Sequence, residues 1–153
     1  DALEPFRVKG PEQSPEPLPY LQQKGAKAFD INLEVAIQPE NEVETVVSRS
    51  NFKYMYWSMA QQLAHHTING CRVNSGDMMG SGTISGPTED SFGSMLELSW
   101  GGQKPLKMND GSERKFINDN DTVIIRGYCQ KDNLRIGFGE VSSKLLPAVE
   151  LKF

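Results

Sequence analysis

One acidic residue occupies a position where the surrounding sequence favours an apolar side chain. Glu97 lies within residues 95–100, MLELSW, which otherwise have the pattern of a buried strand. Because side chains alternate along a strand, Leu96, Leu98 and Trp100 are predicted to share one face, with Glu97 on the other. An ionised carboxylate on a strand is costly unless it is paired or hydrogen-bonded. Two interpretations are open: one face of the strand lies in water, or the carboxylate has a chemical role.

Hydroxyl side chains stand shortly before this carboxylate in the chain. Residues 77–85 are predicted to form a strand, and Ser81, Thr83 and Ser85 fall on one of its faces. If this strand and the one that carries Glu97 line a common cavity, hydroxyl groups and a carboxylate converge there, as an active site requires. The preceding strand therefore favours the chemical role for Glu97.

Glycines in the same region resemble a phosphate-binding loop but lack its spacing. Gly80, Gly82 and Gly86 give the pattern G-x-G-x-x-x-G, and Pro87 follows where a helix should begin. No helix N-terminus is then available to meet a phosphate. We interpret these glycines as points of close backbone approach within a sheet.

Two further patterns resemble metal sites. The adjacent His65 and His66 would point about 100° apart on a helix, so they cannot chelate one metal together, and a structural or surface role is favoured. The acidic stretch NDND at 118–121 lacks the glycine and the distal glutamate of an EF-hand, which favours a solvated turn.

Composition and charge restrict the class of protein. The chain has 153 residues, of which 37% are hydrophobic, and a net charge of −4, which suits one soluble domain. No apolar run approaches the ~20 residues needed to span a bilayer, and the mild acidity argues against nucleic acid or an anionic membrane as a partner. Cys71 and Cys129 are interpreted as free, buried thiols in a reducing compartment, so we expect a cytoplasmic location.

The periodicity along the chain predicts a mainly β fold with one main helix. Residues 1–28 read as an irregular, proline-rich segment that begins without methionine, so we expect a piece of a longer protein. Residues 29–153 are predicted to belong to a domain. The predicted helix covers about 51–66, starting at Ser50 or Asn51 and leaving through Gly70. The predicted strands, which suggest a sandwich or barrel-like roll, cover 29–37, 43–48, 77–85, 95–100, 114–117, 122–129 and 134–141.

Several motifs together resemble one family across nearly the whole chain. The segments SGTISGP and FGSMLELSW, with DALEPF, FDINLEV, SNFKYMYW and QQLAHHTINGC before them and GYCQ and RIGFGEV after them, closely resemble the fumarylacetoacetate hydrolase family. The resemblance implies that the chain is the C-terminal part of the family's catalytic domain, a mixed β-sandwich roll. The upstream catalytic half and the N-terminal domain of the family would then be absent from it.

The family resemblance also implies a chemistry. A family enzyme hydrolyses a carbon–carbon bond of fumarylacetoacetate, giving fumarate and acetoacetate in tyrosine and phenylalanine catabolism, and we expect it to be a homodimer. Calcium or magnesium holds the β-diketone oxygens, because the expelled carbanion is tolerable only as a stabilised enolate. A histidine held by a glutamate deprotonates the attacking water. By resemblance, Glu97 is that glutamate and Thr83 is the threonine that contacts the substrate.

The resemblance leaves most of the family's site outside this chain. Neither His65 nor His66 matches the catalytic histidine, and no aspartate or glutamate here matches a metal ligand, so the segment alone is expected to be inactive. Two alternatives stay open at this stage. One is a related β-diketone or acylpyruvate hydrolase, and the other is a non-catalytic β-rich binding or assembly module.

Overall fold

Antiparallel strands dominate the computed structural model of the chain, which describes residues 2–149. A four-stranded sheet is the largest unit, and two pairs of two-residue strands accompany it. This arrangement confirms the predicted mainly β class. The strands are β1 (Arg7–Val8), β2 (Ala28–Phe29), β3 (Asn32–Gln38), β4 (Thr45–Asn51), β5 (Leu106–Lys107), β6 (Glu113–Arg114), β7 (Thr122–Lys131) and β8 (Leu134–Lys144).

The four-stranded sheet has the order β4-β3-β7-β8, with every neighbouring pair antiparallel. Alternating apolar residues predict one strand over 29–37, but β2 ends at Phe29 and β3 starts at Asn32. The buried Ala36 and Ile37 of β3 face opposite sides of the sheet. Residues 132–133 join β7 to β8 as a hairpin. The predicted strands over 43–48, 122–129 and 134–141 are thus present, although β4 begins and ends later.

The core lies against one face of the sheet and includes part of the N-terminal segment. Phe6, Ile31 and Cys129 are buried together. Phe6 belongs to a 3-10 turn at Glu4–Phe6, and β1 pairs with β2, so residues 2–28 are less irregular than predicted. The predicted division between 28 and 29 stays a prediction.

The helix predicted over 51–66 is wrong at its start. Asn51 caps only a 3-10 turn, Phe52–Tyr54, and the chain then extends at Met55. The helix α1 covers Met59–Thr67. It begins at Ser58, whose hydroxyl accepts from the Gln61 amide at 3.2 Å. The Gln61 side chain accepts from the Ser58 amide at 2.9 Å, which completes a capping box and fixes the start of the helix.

Four other predictions need correction. Residues 77–85 form no strand in the described chain, and only Glu113–Arg114 of the region around 114–117 does. The predicted strand over 95–100 is a short helix, α2, Met95–Leu98. Cys71 is exposed, whereas Cys129 is buried as predicted, and both are free thiols. Gly70 has a φ of 88°, as predicted for the chain leaving the helix.

Candidate active site

The helix α2 positions Glu97, the carboxylate that the sequence singles out. Ser94 is its N-cap, and the Ser94 hydroxyl accepts from the Glu97 amide at 3.3 Å. Leu96 is 63% exposed and Trp100 53% exposed, so the apolar face predicted for a strand is not buried. Leu96, Leu98 and Trp100 have the two-residue spacing that is typical of a strand. A helix of four residues is too short to show the helical period of 3.6 residues. The signal that reveals this helix is Ser-x-x-Glu, the capping-box spacing.

Two hydroxyl groups hold the Glu97 carboxylate. The Ser85 hydroxyl lies 2.9 Å from Oε1 and 2.8 Å from Oε2, and the Ser94 hydroxyl donates to Oε2 at 2.8 Å. The predicted convergence of hydroxyls and a carboxylate therefore occurs, although a loop and a helix produce it instead of two strands. Ser81 does not take part, because its hydroxyl donates to the Gly82 carbonyl at 3.1 Å.

These contacts favour the ionised form of Glu97. The Ser85 hydroxyl, followed by the Ser94 hydroxyl, lowers the pKa of the half-buried Glu97 carboxyl below its ordinary value, and partial burial opposes them. Glu97 is thus a fixed anion at neutral pH. Such a group serves as an acceptor and a source of charge, and it is a poor proton acceptor for water itself.

Gly86 and Gly93 allow the loop around residues 83–86 to lie close to the residues that precede α2. A Cβ on Gly93 would lie 2.7 Å from the Thr83 methyl group and 2.7 Å from the Ile84 carbonyl oxygen. A Cβ on Gly86 would lie 2.5 Å from the Ser91 hydroxyl. The close approach within a sheet predicted for Gly80, Gly82 and Gly86 is wrong, because none of the three lies in a strand and a Cβ at Gly80 or Gly82 would meet nothing within 4 Å.

Glu97 lines an open cavity of about 600 Å³. Thr83, whose side chain is exposed, lines the same cavity, so the two predicted site residues come together. Tyr54, Tyr56 and Trp57 form an aromatic side of this cavity. The sequence pattern does not indicate this role, because it places residues 52–57 in the amphipathic helix. The remaining lining residues are Met55, Ile84, Ser85, Ser94 and Leu96.

The histidines lie elsewhere on α1. The His65 Nδ1 atom and the Tyr20 hydroxyl form a hydrogen bond of 3.0 Å, and both His65 and His66 are exposed. Neither is among the residues that line the cavity beside Glu97. The arrangement matches the structural or surface role that the sequence favours.

The sequence predicts a solvated turn at 118–121, but this prediction is wrong for Asp121. Asp121 is 1% exposed and accepts two hydrogen bonds from Arg114.

Within residues 2–149 no group of three or more His, Cys, Asp or Glu side chains could hold a metal ion. In the same range no helix is long and apolar enough to cross a membrane.

Comparison with known proteins gives a consistent result. The family described as "Fumarylacetoacetate (FAA) hydrolase C-terminal" matches residues 4–145. Fumarylacetoacetase of Homo sapiens is 55% identical over 150 residues, covering 97% of this chain and 36% of the relative. The Dictyostelium discoideum fumarylacetoacetase is 54% identical over 151 residues, and that of Arabidopsis thaliana 48% over 149; each match covers 97% of this chain and 35% of the relative. The chain therefore spans about 36% of the length of these curated relatives.

Proposed function

Since this chain belongs to the fumarylacetoacetate hydrolase C-terminal family, we propose that it supplies one wall of the active site of a fumarylacetoacetase. The proposed reaction is hydrolysis of a carbon–carbon bond of fumarylacetoacetate, which gives fumarate and acetoacetate in tyrosine and phenylalanine catabolism. The observation that carries this proposal is the anionic Glu97, held by two serine hydroxyls on a cavity that Thr83 also lines. The relatives named fumarylacetoacetase, about 50% identical, support the choice of substrate.

Glu97 has unused capacity to accept a hydrogen bond. A carboxylate offers about four lone-pair sites; the single protons of Ser85 and Ser94 fill at most two of them, and the Ser94 and Gly93 amides interact with it more weakly. The remaining sites can accept an imidazole N–H from a histidine base. In this role Glu97 fixes the tautomer of the imidazole and stabilises the imidazolium that forms when water loses its proton.

The histidine base itself is proposed to lie outside the segment. His65 is engaged with Tyr20 on α1, away from the cavity beside Glu97. The curated relatives are nearly three times as long as the matched region, so they have ample chain to supply such a residue. For the same reason we propose that the isolated segment has no hydrolase activity.

Thr83 is proposed to contact the substrate. Its exposed side chain lines the cavity, and Gly93 allows the backbone around Thr83 to lie close to α2. A threonine hydroxyl can donate to a carboxylate or carbonyl oxygen and so fix its orientation. Thr83 thus serves binding, whereas Glu97 serves the chemical step.

The described residues do not fit a calcium or magnesium site. Hard cations need several converging oxygen ligands, and residues 2–149 hold no suitable group of three. We therefore propose that the metal expected for the family takes its ligands from chain outside this segment. The proposed cytoplasmic location has the support of two free thiols. The proposed homodimer has the support of large exposed apolar side chains, such as Val141 at 67%.

The test is an assay of the full-length product of the gene that encodes this segment. We expect hydrolysis of fumarylacetoacetate, followed by release of fumarate, and a slower reaction with acylpyruvates. Faster turnover of an acylpyruvate would assign the protein to the neighbouring hydrolase class. Failure to hydrolyse any β-diketone, with the fold verified by circular dichroism, would return the segment to the binding or assembly class.

A further inference from the structure

We propose that Ser85 is a positioning residue that holds the Glu97 carboxylate in a single orientation toward the cavity and ties it to the loop bearing Thr83. The proposal rests on the proposed function of Glu97. It concerns a residue that does not itself need to touch the substrate. Three observations carry it: the geometry of the hydroxyl, its position in the chain, and its difference from Ser94.

The geometry fixes the direction in which the Ser85 hydroxyl donates. The Gly93 amide donates to the Ser85 oxygen at 3.1 Å, which occupies one lone pair of that oxygen. Its single proton then points to the carboxylate, with Oε1 at 2.9 Å and Oε2 at 2.8 Å. A hydrogen bond to an ionised acceptor is roughly twice as strong as a neutral one. Ser85 therefore restrains both carboxylate oxygens through one directed proton.

Its position in the chain connects Glu97 to the proposed substrate contact. Ser85 lies two residues after Thr83, in a loop without regular secondary structure. Without the contact between Ser85 and Glu97, this loop would lose its side-chain link to α2. The hydrogen bond thus helps to hold the loop that bears Thr83 against α2, together with the Gly86 amide, which donates to the Ser91 carbonyl at 2.8 Å. A displacement of about 1 Å in such a site can lower the rate 100-fold.

Ser94 contacts the same carboxylate but has another task. Its hydroxyl reaches only Oε2 and also caps α2 by accepting from the Glu97 amide. Ser85 has no role in capping, so a change there tests positioning without removing the start of the helix. The pKa of Glu97 provides a direct reading of this contact, because the Ser85 hydroxyl is the largest influence that lowers it. The titratable side chains that line the cavity with Glu97 are Tyr54 and Tyr56.

The test compares Ser85→Ala with Ser85→Thr, which keeps a hydroxyl, in the full-length protein that contains the segment. Ser81→Ala is the matched control, because the Ser81 hydroxyl contacts only the neighbouring Gly82 carbonyl. The first measurement is the pKa of Glu97 from carbon-13 NMR of labelled glutamate, with the signal identified by its loss in Glu97→Gln. The second is the steady-state kinetics with fumarylacetoacetate.

We expect Ser85→Ala to raise the pKa of Glu97, since the charged form loses a donor. We also expect kcat to fall by about 10–100-fold, the range known for residues that orient metal ligands, and KM to rise by a smaller factor because the loop bearing Thr83 is released. Ser85→Thr should restore much of both, and Ser81→Ala should change neither. If Ser85→Ala does not fold, Ser85→Cys keeps the shape with a weak donor and should raise the pKa in the same direction.

An unchanged Glu97 pKa in a folded Ser85→Ala or Ser85→Cys protein would overturn the proposal, whatever the activity. An inactive wild-type protein would instead contradict the proposed function, and the NMR titration would still decide whether Ser85 positions Glu97.

Discussion

The guanidinium of Arg114 and the carboxylate of Asp121 form a buried, two-pronged ion pair. The Nε atom lies 2.8 Å from Oδ2 and Nη2 lies 2.9 Å from Oδ1, with the Asp121 side chain 2% exposed. The Asn118 amide also donates to Oδ2 at 2.9 Å, and the Asp121 carbonyl accepts from the Leu145 amide. The pair thus joins β6, the turn before β7 and the end of β8.

We expect Asp121→Asn to destabilise the fold by about 3–5 kcal/mol, the usual cost of leaving one partner of a buried pair uncompensated. The free energy of urea unfolding of the full-length protein, compared between variant and wild type, measures this change. Glu4→Gln is the matched control, because the pair of Glu4 with Arg7 is at the surface and should contribute nothing measurable. A similar urea midpoint for Asp121→Asn and the wild type would contradict the importance of the pair.

The same pair gives stability a defined dependence on pH. Burial alone would raise the pKa of Asp121, but the hydrogen bonds from Arg114 and from the Asn118 amide outweigh it and lower that pKa. The unfolded chain then binds the proton more readily than the folded chain. The stabilisation is therefore complete above the unfolded pKa of about 3.9 and is lost as the pH falls through the folded value. The deficit of Asp121→Asn should shrink accordingly as the pH falls below about 4.

Substitutions at the two predicted site residues should affect different kinetic constants in the full-length enzyme. Glu97→Gln keeps the shape but removes the charge that stabilises the imidazolium, so we expect kcat to fall by about 10²–10⁴ with KM changing much less. Thr83→Val should mainly weaken substrate binding, by roughly 0.5–1.5 kcal/mol for one hydrogen bond. Near-normal turnover in a folded Glu97→Gln enzyme would leave Glu97 without a role in the reaction.

The isolated chain should bind calcium and magnesium only weakly. Residues 2–149 bring no three suitable ligands together, and Asp121 is already committed to Arg114. Isothermal titration calorimetry with each chloride salt should give no stoichiometric binding at micromolar concentrations. A tight site that disappears in Asp119→Asn would mean that the 118–121 loop binds metal after all.

The isolated chain should also self-associate through the outer edge of β8. This strand ends the sheet, and its outer side has no partner strand within residues 2–149. Phe138 and Val141 are 52% and 67% exposed along it, so unpaired backbone groups and apolar side chains coincide. Sedimentation velocity should show association that grows with concentration and weakens in Val141→Lys. A monodisperse monomer with a sharp thermal transition would contradict this expectation.

The sequence predicts those parts of the fold whose pattern is local and long enough to repeat. Alternation over 29–37 predicts a strand that is largely present as β3, and the apolar runs 122–129 and 134–141 predict β7 and β8. The four-residue helix that carries Glu97 has no such repeat, and only its Ser94 cap could have indicated it. The pairing of Asp121 with Arg114 could not be predicted from the sequence either, because it depends on where β6 lies relative to the turn before β7. The convergence on Glu97 was predicted correctly for the wrong reason, since hydroxyl spacing indicated a strand that does not form.

Gly93 provides the sharpest test of how loop and helix build the site. An alanine Cβ there would lie 2.7 Å from the Ile84 carbonyl oxygen, which is backbone and cannot rotate away. We expect Gly93→Ala to displace residues 83–85 from α2, to destabilise the fold by about 1–3 kcal/mol, and to lower kcat because the Ser85 contact with Glu97 is stretched. Gly80→Ala is the matched control, since a Cβ at Gly80 meets nothing within 4 Å, and it should leave turnover unchanged. Urea unfolding and steady-state kinetics of the two variants measure both effects. Wild-type turnover in a folded Gly93→Ala enzyme would mean that the approach of this loop to α2 is not needed for activity.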